Sequence, residues 1–221
     1  MRILYFLFNW TVKITGYIPR LFFLRFKTYY ENKSQQGRHI KGKGIVIANH
    51  RSVYDFAIML FLFPTRSLRC VVADILFNKN FPLRFFLSAL GCINVEREAH
   101  DFNFISKCKK ILDKGGVVEI YPEARINGER DVELLDFKPS AVYLALESGA
   151  PIIPVYSNAQ YFKKTPAKVI VGVPINVREF YDNTISDKEN ITKINDLLRG
   201  RILELKYELE RQEKDEAQKG K

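Results

Sequence analysis

The hydrophobic pattern of the chain changes character twice. Between residues 3 and 26 apolar and aromatic side chains come in two clusters, Ile3 to Phe8 with Trp10, then Leu21 to Leu24 with Phe26. Lys13, Pro19, Arg20 and Arg25 interrupt them. From Gly44 onward, short β-branched runs alternate with segments of helical period. In the last forty residues Ile191, Ile194, Leu197, Leu198, Ile202, Leu205 and Leu209 recur at the spacing of one helix face.

The middle region predicts strands at 44–49, 68–73, 92–95, 117–121, 152–156 and 169–173. Helices are predicted over about 53–63, 82–90, 101–114 and 138–148. The helix stops are marked by Gly91, the Gly115-Gly116 pair and Gly149. Strands separated by helices of this length imply βαβ crossovers. The expected fold is α/β, a mostly parallel sheet flanked by helices, in one catalytic domain over 40–180. Such sheets bind ligands at the carboxyl ends of their strands.

The flanks read differently. Residues 1–32 predict two short amphipathic helices split near Gly16–Pro19. The stretch has too many charges for a spanning helix, which needs about 20 mostly uncharged apolar residues. It also lacks the small-residue cleavage site of a signal peptide. Two readings fit: a segment lying in the lipid headgroup layer, or helices packed on the domain's own core. The absence of acids before Glu31 favours the first. At the other end, 186–221, Ser186 and Glu189 form a capping-box pattern that opens a helix, and the polar sequence after Arg211 predicts a frayed tail.

Charge sharpens the reading of the amino terminus. The chain carries 35 Lys+Arg against 25 Asp+Glu, a net charge of +10. Within the first fifty residues nine bases (Arg2, Lys13, Arg20, Arg25, Lys27, Lys33, Arg38, Lys41, Lys43) face one acid, Glu31. A field of this sign attracts an anionic membrane surface or a nucleic acid. No nucleic-acid motif accompanies the charge, so a lipid surface is the expected partner. Three cysteines, Cys70, Cys92 and Cys108, are an odd number without C-x-x-C spacing, which suits a reducing compartment and neither a disulfide framework nor a zinc site. The expected location is peripheral, on the cytoplasmic face of the membrane.

Candidate chemistry gathers after the strands. Asn49-His50 follows one strand, and Asp55 lies five residues beyond His50, near the start of a helix, where the positive end of the dipole favours a carboxylate. Ser52 and Asp55 have the spacing of an N-cap and its third residue. An anionic Asp55 holding one imidazole nitrogen leaves the other as a general base toward a substrate hydroxyl. The alternative is a structural histidine bonded to the helix end. Arg97 emerges past the strand Gly91-Cys92-Ile93-Asn94-Val95, where a guanidinium suits a phosphate. Glu123 and Arg125 follow Tyr121-Pro122 and read either as site residues or as a local ion pair. No metal-ligand cluster is visible. A hydrolase, the nearest rival reading, would need a Ser or Cys nucleophile, and no G-x-S-x-G is present, which leaves hydrolysis by water at His50 as a side activity.

Taken in order, these elements resemble the glycerolipid acyltransferase family typified by 1-acyl-sn-glycerol-3-phosphate acyltransferase. Asn49, His50 and Asp55 match its N-H-x-x-x-x-D block. Gly91, Ile93, Val95 and Arg97 match G-x-I-x-V-x-R. Tyr121-Pro122-Glu123-Ala124-Arg125 matches F-P-E-G-T-R only in part, lacking its glycine and threonine and one residue shorter between Glu and Arg. Pro151, Ile152, Pro154 and Val155 match an apolar P-I-x-P-V run. The likeness covers about 40–178. It implies transfer of an acyl group from a thioester of acyl-carrier protein or coenzyme A to a lysophospholipid hydroxyl, with no cofactor. His50 and Asp55 would be catalytic, and Asn49, Arg97, Glu123 and Arg125 would bind substrate. The altered third block leaves the acceptor open among 1-acyl-sn-glycerol 3-phosphate, another lysophospholipid and a different hydroxylated lipid. The alternative of another class is a non-catalytic anionic-lipid-binding protein built on the net charge of +10.

Overall fold

A computed structural model describes residues 2–96, 103–129 and 131–219. Its centre is a seven-stranded sheet: β1 (Phe26–Tyr30), β2 (Gly44–Ala48), β3 (Leu68–Ala73), β4 (Ile93–Val95), β5 (Val117–Ile120), β6 (Ile152–Ser157) and β7 (Ala167–Val171). The order across the sheet is β1-β7-β6-β2-β5-β3-β4. Every neighbouring pair is parallel except β6 with β7, which are antiparallel. The mostly parallel α/β sheet expected from the sequence is present.

The central strands are apolar throughout because both faces are covered. All five residues of β2 are buried. Ile45 and Ile47 face one layer, in a core shared with Ile105 and Leu112 of α5 (Asn103–Leu112), Val142 and Leu144 of α6 (Ser140–Ser148), and Ile194 and Leu198 of α7 (Asp187–Lys219). Val46 and Ala48 face the opposite layer, against Ile58, Met59 and Leu62 of α2 (Asp55–Leu62). Each fully buried side chain of this size contributes about 1.5–3 kcal/mol relative to exposure.

Helix ends follow their local chemistry. The Asn80 carboxamide accepts the Leu83 amide at 2.9 Å to open α4 (Phe81–Leu90), and Gly91 closes that helix with φ +73°. A side chain there would be strained and would displace a neighbour. A Cβ on Gly91 would lie 1.7 Å from the Arg69 guanidinium, which donates to the Leu90 carbonyl at 2.7 Å. The expected capping box opens α7, with the Ser186 amide donating to Glu189 at 3.0 Å and the Glu189 amide to the Ser186 hydroxyl at 3.3 Å.

Three expectations need correction. The amino-terminal segment is one helix, α1 (Arg2–Phe23), with Pro19 inside it, rather than two. Residues 26–30, placed by the sequence reading among the membrane-interface helices, form edge strand β1 beside β7. The polar stretch after Arg211 stays helical to Lys219. The last two share one cause. β1 offers polar partners on the side of α7: Lys27 and Tyr29 reach Glu216 at 2.6 and 2.9 Å, and the Gln212 amide donates to the Tyr30 carbonyl at 3.0 Å. Lys168 of β7 adds an ion pair to Glu213 at 2.8 Å. A short helix, α3 (Asp74–Phe77), was not foreseen.

Helix α1 is inverted relative to a soluble amphipathic helix. Two of its polar residues, Asn9 and Lys13, face the domain. Asn9, 1% exposed, donates to the Leu90 carbonyl at 3.1 Å. Lys13, also buried, donates to the carbonyls of Phe63, Pro64 and Arg66 just past the end of α2. Phe6, Leu7, Ile14, Ile18, Phe22 and Phe23 point outward instead.

Candidate active site

Three adjacent strands bring the site together. β6, β2 and β5 are parallel neighbours, so their carboxyl ends lie side by side. Asn49-His50 leaves β2, Tyr121-Pro122-Glu123 leaves β5, and the turn containing Tyr161 follows β6. This is the edge at which parallel sheets expose ligand sites.

His50 and Asp55 meet there. Imidazole Nδ1 lies 3.0 Å from Asp55 Oδ2. The Asp55 side chain is 2% exposed and that of His50 is 17% exposed. Oδ2 also accepts the backbone amides of Arg51 and Ser52, both at 2.8 Å. Asp55 is the first residue of α2 rather than its third, and Tyr54 is the N-cap. The carboxylate nevertheless reaches back to Ser52 as the side chain of a capping box does. Three donors converge on one oxygen at a helix amino terminus, an arrangement of the kind that suits a carboxylate. With Nδ1 directed at a carboxylate, the proton belongs on Nδ1 and the lone pair on Nε2. No hydrogen bond among the described residues takes up Nε2.

The sequence reading missed two residues of this network. Tyr161 donates its hydroxyl to Asp55 Oδ1 at 2.5 Å and meets the Ser157 hydroxyl at 2.9 Å. Burial and the adjacent carboxylate push its ionisation upward, so it remains a donor. Tyr121 stacks on the His50 ring, with centroids 4.2 Å apart and planes 24° apart. Tyr161 lies in an irregular turn with no spacing signal. The stack of Tyr121 depends on two strands being adjacent, which the sequence does not display.

Asn49 and Glu123, expected to meet substrate, have their polar atoms committed to the protein. The Asn49 carboxamide donates to the Ser157 carbonyl at 2.9 Å and accepts the Ser157 amide at 2.8 Å, tying β2 to β6. Glu123, 3% exposed, accepts the amides of His50 at 2.7 Å and Leu135 at 2.8 Å. Burial raises its carboxyl against the opposing pull of those amides. Both residues brace the loop that carries His50. Arg125 is exposed and pairs with Glu129 at 3.1 Å, the local ion pair that the sequence also allowed. Arg97 lies outside the described residues. All three cysteines have thiols raised by burial, Cys92 and Cys108 to about 12, so none supplies a ready thiolate.

Comparison with known proteins decides the family. The family model described as Acyltransferase matches residues 25–158, more than half of the chain. The chain belongs to the Acyltransferase family. Among named members it is 27% identical over 157 residues to human 1-acyl-sn-glycerol-3-phosphate acyltransferase beta, covering 70% of this chain and 54% of that protein. It is 24% identical over 187 residues to the Haemophilus influenzae 1-acyl-sn-glycerol-3-phosphate acyltransferase, covering 81% and 76%. The chain thus spans about half the length of the human relative and three quarters of the bacterial one. The crystal structure of the Thermotoga maritima 1-acyl-sn-glycerophosphate acyltransferase superposes with a TM-score of 0.59 at 18% identity, over 90% of this chain and 78% of the other, a likeness of fold.

Membership in the acyltransferase family gives the altered third block a physical meaning. Ala124 stands where the resembled block has glycine, and it adopts φ +57°. The turn has the left-handed conformation that glycine adopts freely and an L residue adopts at a cost.

Proposed function

We propose that the chain transfers an acyl group from a thioester to the free hydroxyl of 1-acyl-sn-glycerol 3-phosphate, giving phosphatidic acid in phospholipid synthesis. The observation that carries this reading is the His50–Asp55 pair, 3.0 Å apart at the carboxyl ends of the central strands, with no hydrogen bond among the described residues to Nε2. The names of the relatives support the acceptor. In the proposed reaction Nε2 takes the proton of the acceptor hydroxyl as its oxygen attacks the thioester carbonyl. Asp55 stabilises the imidazolium so formed. The carbon–sulfur bond then breaks, and the imidazolium returns its proton to the departing thiolate. Arg125 and Arg97 would meet the acceptor phosphate, while Asn49 and Glu123 act by holding the loop. The donor would be a thioester of coenzyme A or acyl-carrier protein, and the reaction requires no cofactor.

The chain is also proposed to work from an anionic membrane surface, on its cytoplasmic face. No helix among the described residues is long and apolar enough to cross a membrane. The outward apolar face of α1 supports docking in the headgroup layer. It continues into α4, where Phe8 meets Phe85 and Phe86 edge-on at 6.3 and 6.0 Å and Phe81 is 78% exposed. The basic excess of the first fifty residues adds electrostatic attraction to the same surface.

The test is purified protein with isotopically labelled palmitoyl-coenzyme A and a panel of lysolipid acceptors, read by mass spectrometry. Labelled phosphatidic acid, formed in preference to acylated neutral or choline-bearing lysolipids, is the expected product. Release of free fatty acid alone, whatever the acceptor, would contradict the proposal.

A further inference from the structure

Glu119 breaks the pattern of its strand. It sits inside β5 with Val46 of β2 on one side and Cys70 of β3 on the other, and it is fully buried. One carboxyl oxygen, Oε1, accepts the Tyr121 hydroxyl at 2.5 Å. The other, Oε2, is buried with no hydrogen-bond partner among the described residues. A half-satisfied carboxyl in a central strand opposes folding, and such departures concentrate where function requires them. The ring it holds is the one on which His50 rests, stacked at 4.2 Å.

We propose that Glu119 and Tyr121 are a positioning pair that fixes the plane of the His50 imidazole. Asp55 constrains the ring along its Nδ1 edge, a single contact about which the imidazole can still tilt. The Tyr121 face removes that freedom, and the hydroxyl clamp on Glu119 stops the tyrosine ring from sliding along the sheet. The same face is electron-rich and lies against the imidazole where positive charge develops in proton abstraction. This inference rests on His50 acting as the general base.

Glu119→Gln and Glu119→Leu separate the clamp from mere burial. Glutamine keeps an oxygen for the Tyr121 hydroxyl. Leucine removes it together with the orphaned oxygen but leaves the buried Tyr121 hydroxyl unpaired, so the double variant Glu119→Leu/Tyr121→Phe, which removes both polar groups, accompanies it as the stably folded form. Steady-state kinetics use the full chain with palmitoyl-coenzyme A and 1-acyl-sn-glycerol 3-phosphate, alongside His50→Ala. Glu119→Gln should keep kcat within about twofold. Glu119→Leu and Tyr121→Leu should lower kcat about ten- to a hundredfold, with both KM values nearly unchanged, because a tilted base is misaligned in the transition state and not in binding. Thermal melts accompany each variant. A folded Glu119→Leu with wild-type kcat, or equal losses in Glu119→Gln and Glu119→Leu, would overturn the positioning pair. Full activity in His50→Ala would overturn the general-base reading beneath it instead.

Discussion

Tyr161 donates its hydroxyl to Asp55 across 2.5 Å, from 106 residues further along the chain. The bond fixes the carboxylate oxygen opposite the one that faces His50, so the base is held through two successive contacts. Tyr161→Phe should lower kcat about tenfold, the order of one hydrogen bond to a charged group. Asp55→Asn should cost more, about a hundredfold or beyond, because it removes the anion that stabilises the imidazolium. Turnover measured at saturating substrates checks both. Asp55→Asn with an unchanged rate would separate the carboxylate from the chemistry.

The turn at Ala124 offers a stability test. Its left-handed conformation costs an alanine about 1–2 kcal/mol, and glycine gives back about 0.5–1 kcal/mol through its freer unfolded chain. Ala124→Gly should therefore stabilise the fold by about 0.5 kcal/mol on these figures. Urea unfolding monitored by circular dichroism measures the midpoint shift, and a lower midpoint would mean that the turn is not strained.

Glu119 predicts a pH dependence. Burial, with Asp55 nearby, pushes its carboxyl up from 4.5 to about 8, against the pull of the Tyr121 hydroxyl bond. Cys70 and Cys92 face the same space with raised thiols and remain protonated there. Between about pH 4.5 and 8 the unfolded chain has released a proton that the folded chain retains. Stability should therefore fall as pH rises through that window, by up to about 1.4 kcal/mol per unit, and level off above it. Denaturation of wild type against Glu119→Gln isolates the effect. Parallel pH curves for the two proteins would show that Glu119 does not retain its proton.

Phe6, Phe22 and Phe23 are each more than half exposed on the outward face of α1. Replacing all three with serine should weaken flotation with anionic liposomes at least tenfold, since each buried phenylalanine contributes about 1.5–3 kcal/mol. Activity on detergent-dispersed substrate should be retained. Unchanged flotation would remove α1 from the membrane contact.

The sequence was most informative where one pattern decides one element. The β-branched runs marked β2, β3 and β5, and the parallel sheet followed from their spacing. His50 and Asp55 were legible because they lie five residues apart across a strand-to-helix junction. Residues 26–30 were not, because Phe26 continues an aromatic cluster and an edge strand carries polar side chains. The long extension of α7 depends on Glu216 and Gln212 finding partners on that unseen strand. Tyr161 and the Glu119–Tyr121 pair escaped notice for a similar reason. Their partners are fixed by which strands are adjacent, and no local spacing reports that. Asn49 and Glu123 were located correctly at the strand ends, yet their side chains turn inward to backbone amides and carbonyls.

The most direct test of the account is the rate of phosphatidic acid formation by His50→Ala, with saturating palmitoyl-coenzyme A and 1-acyl-sn-glycerol 3-phosphate, beside wild type. Loss of the base should reduce kcat by about a thousandfold while the thermal melt stays close to that of wild type. A folded His50→Ala protein that forms the product within tenfold of the wild-type rate would contradict the role assigned to this histidine.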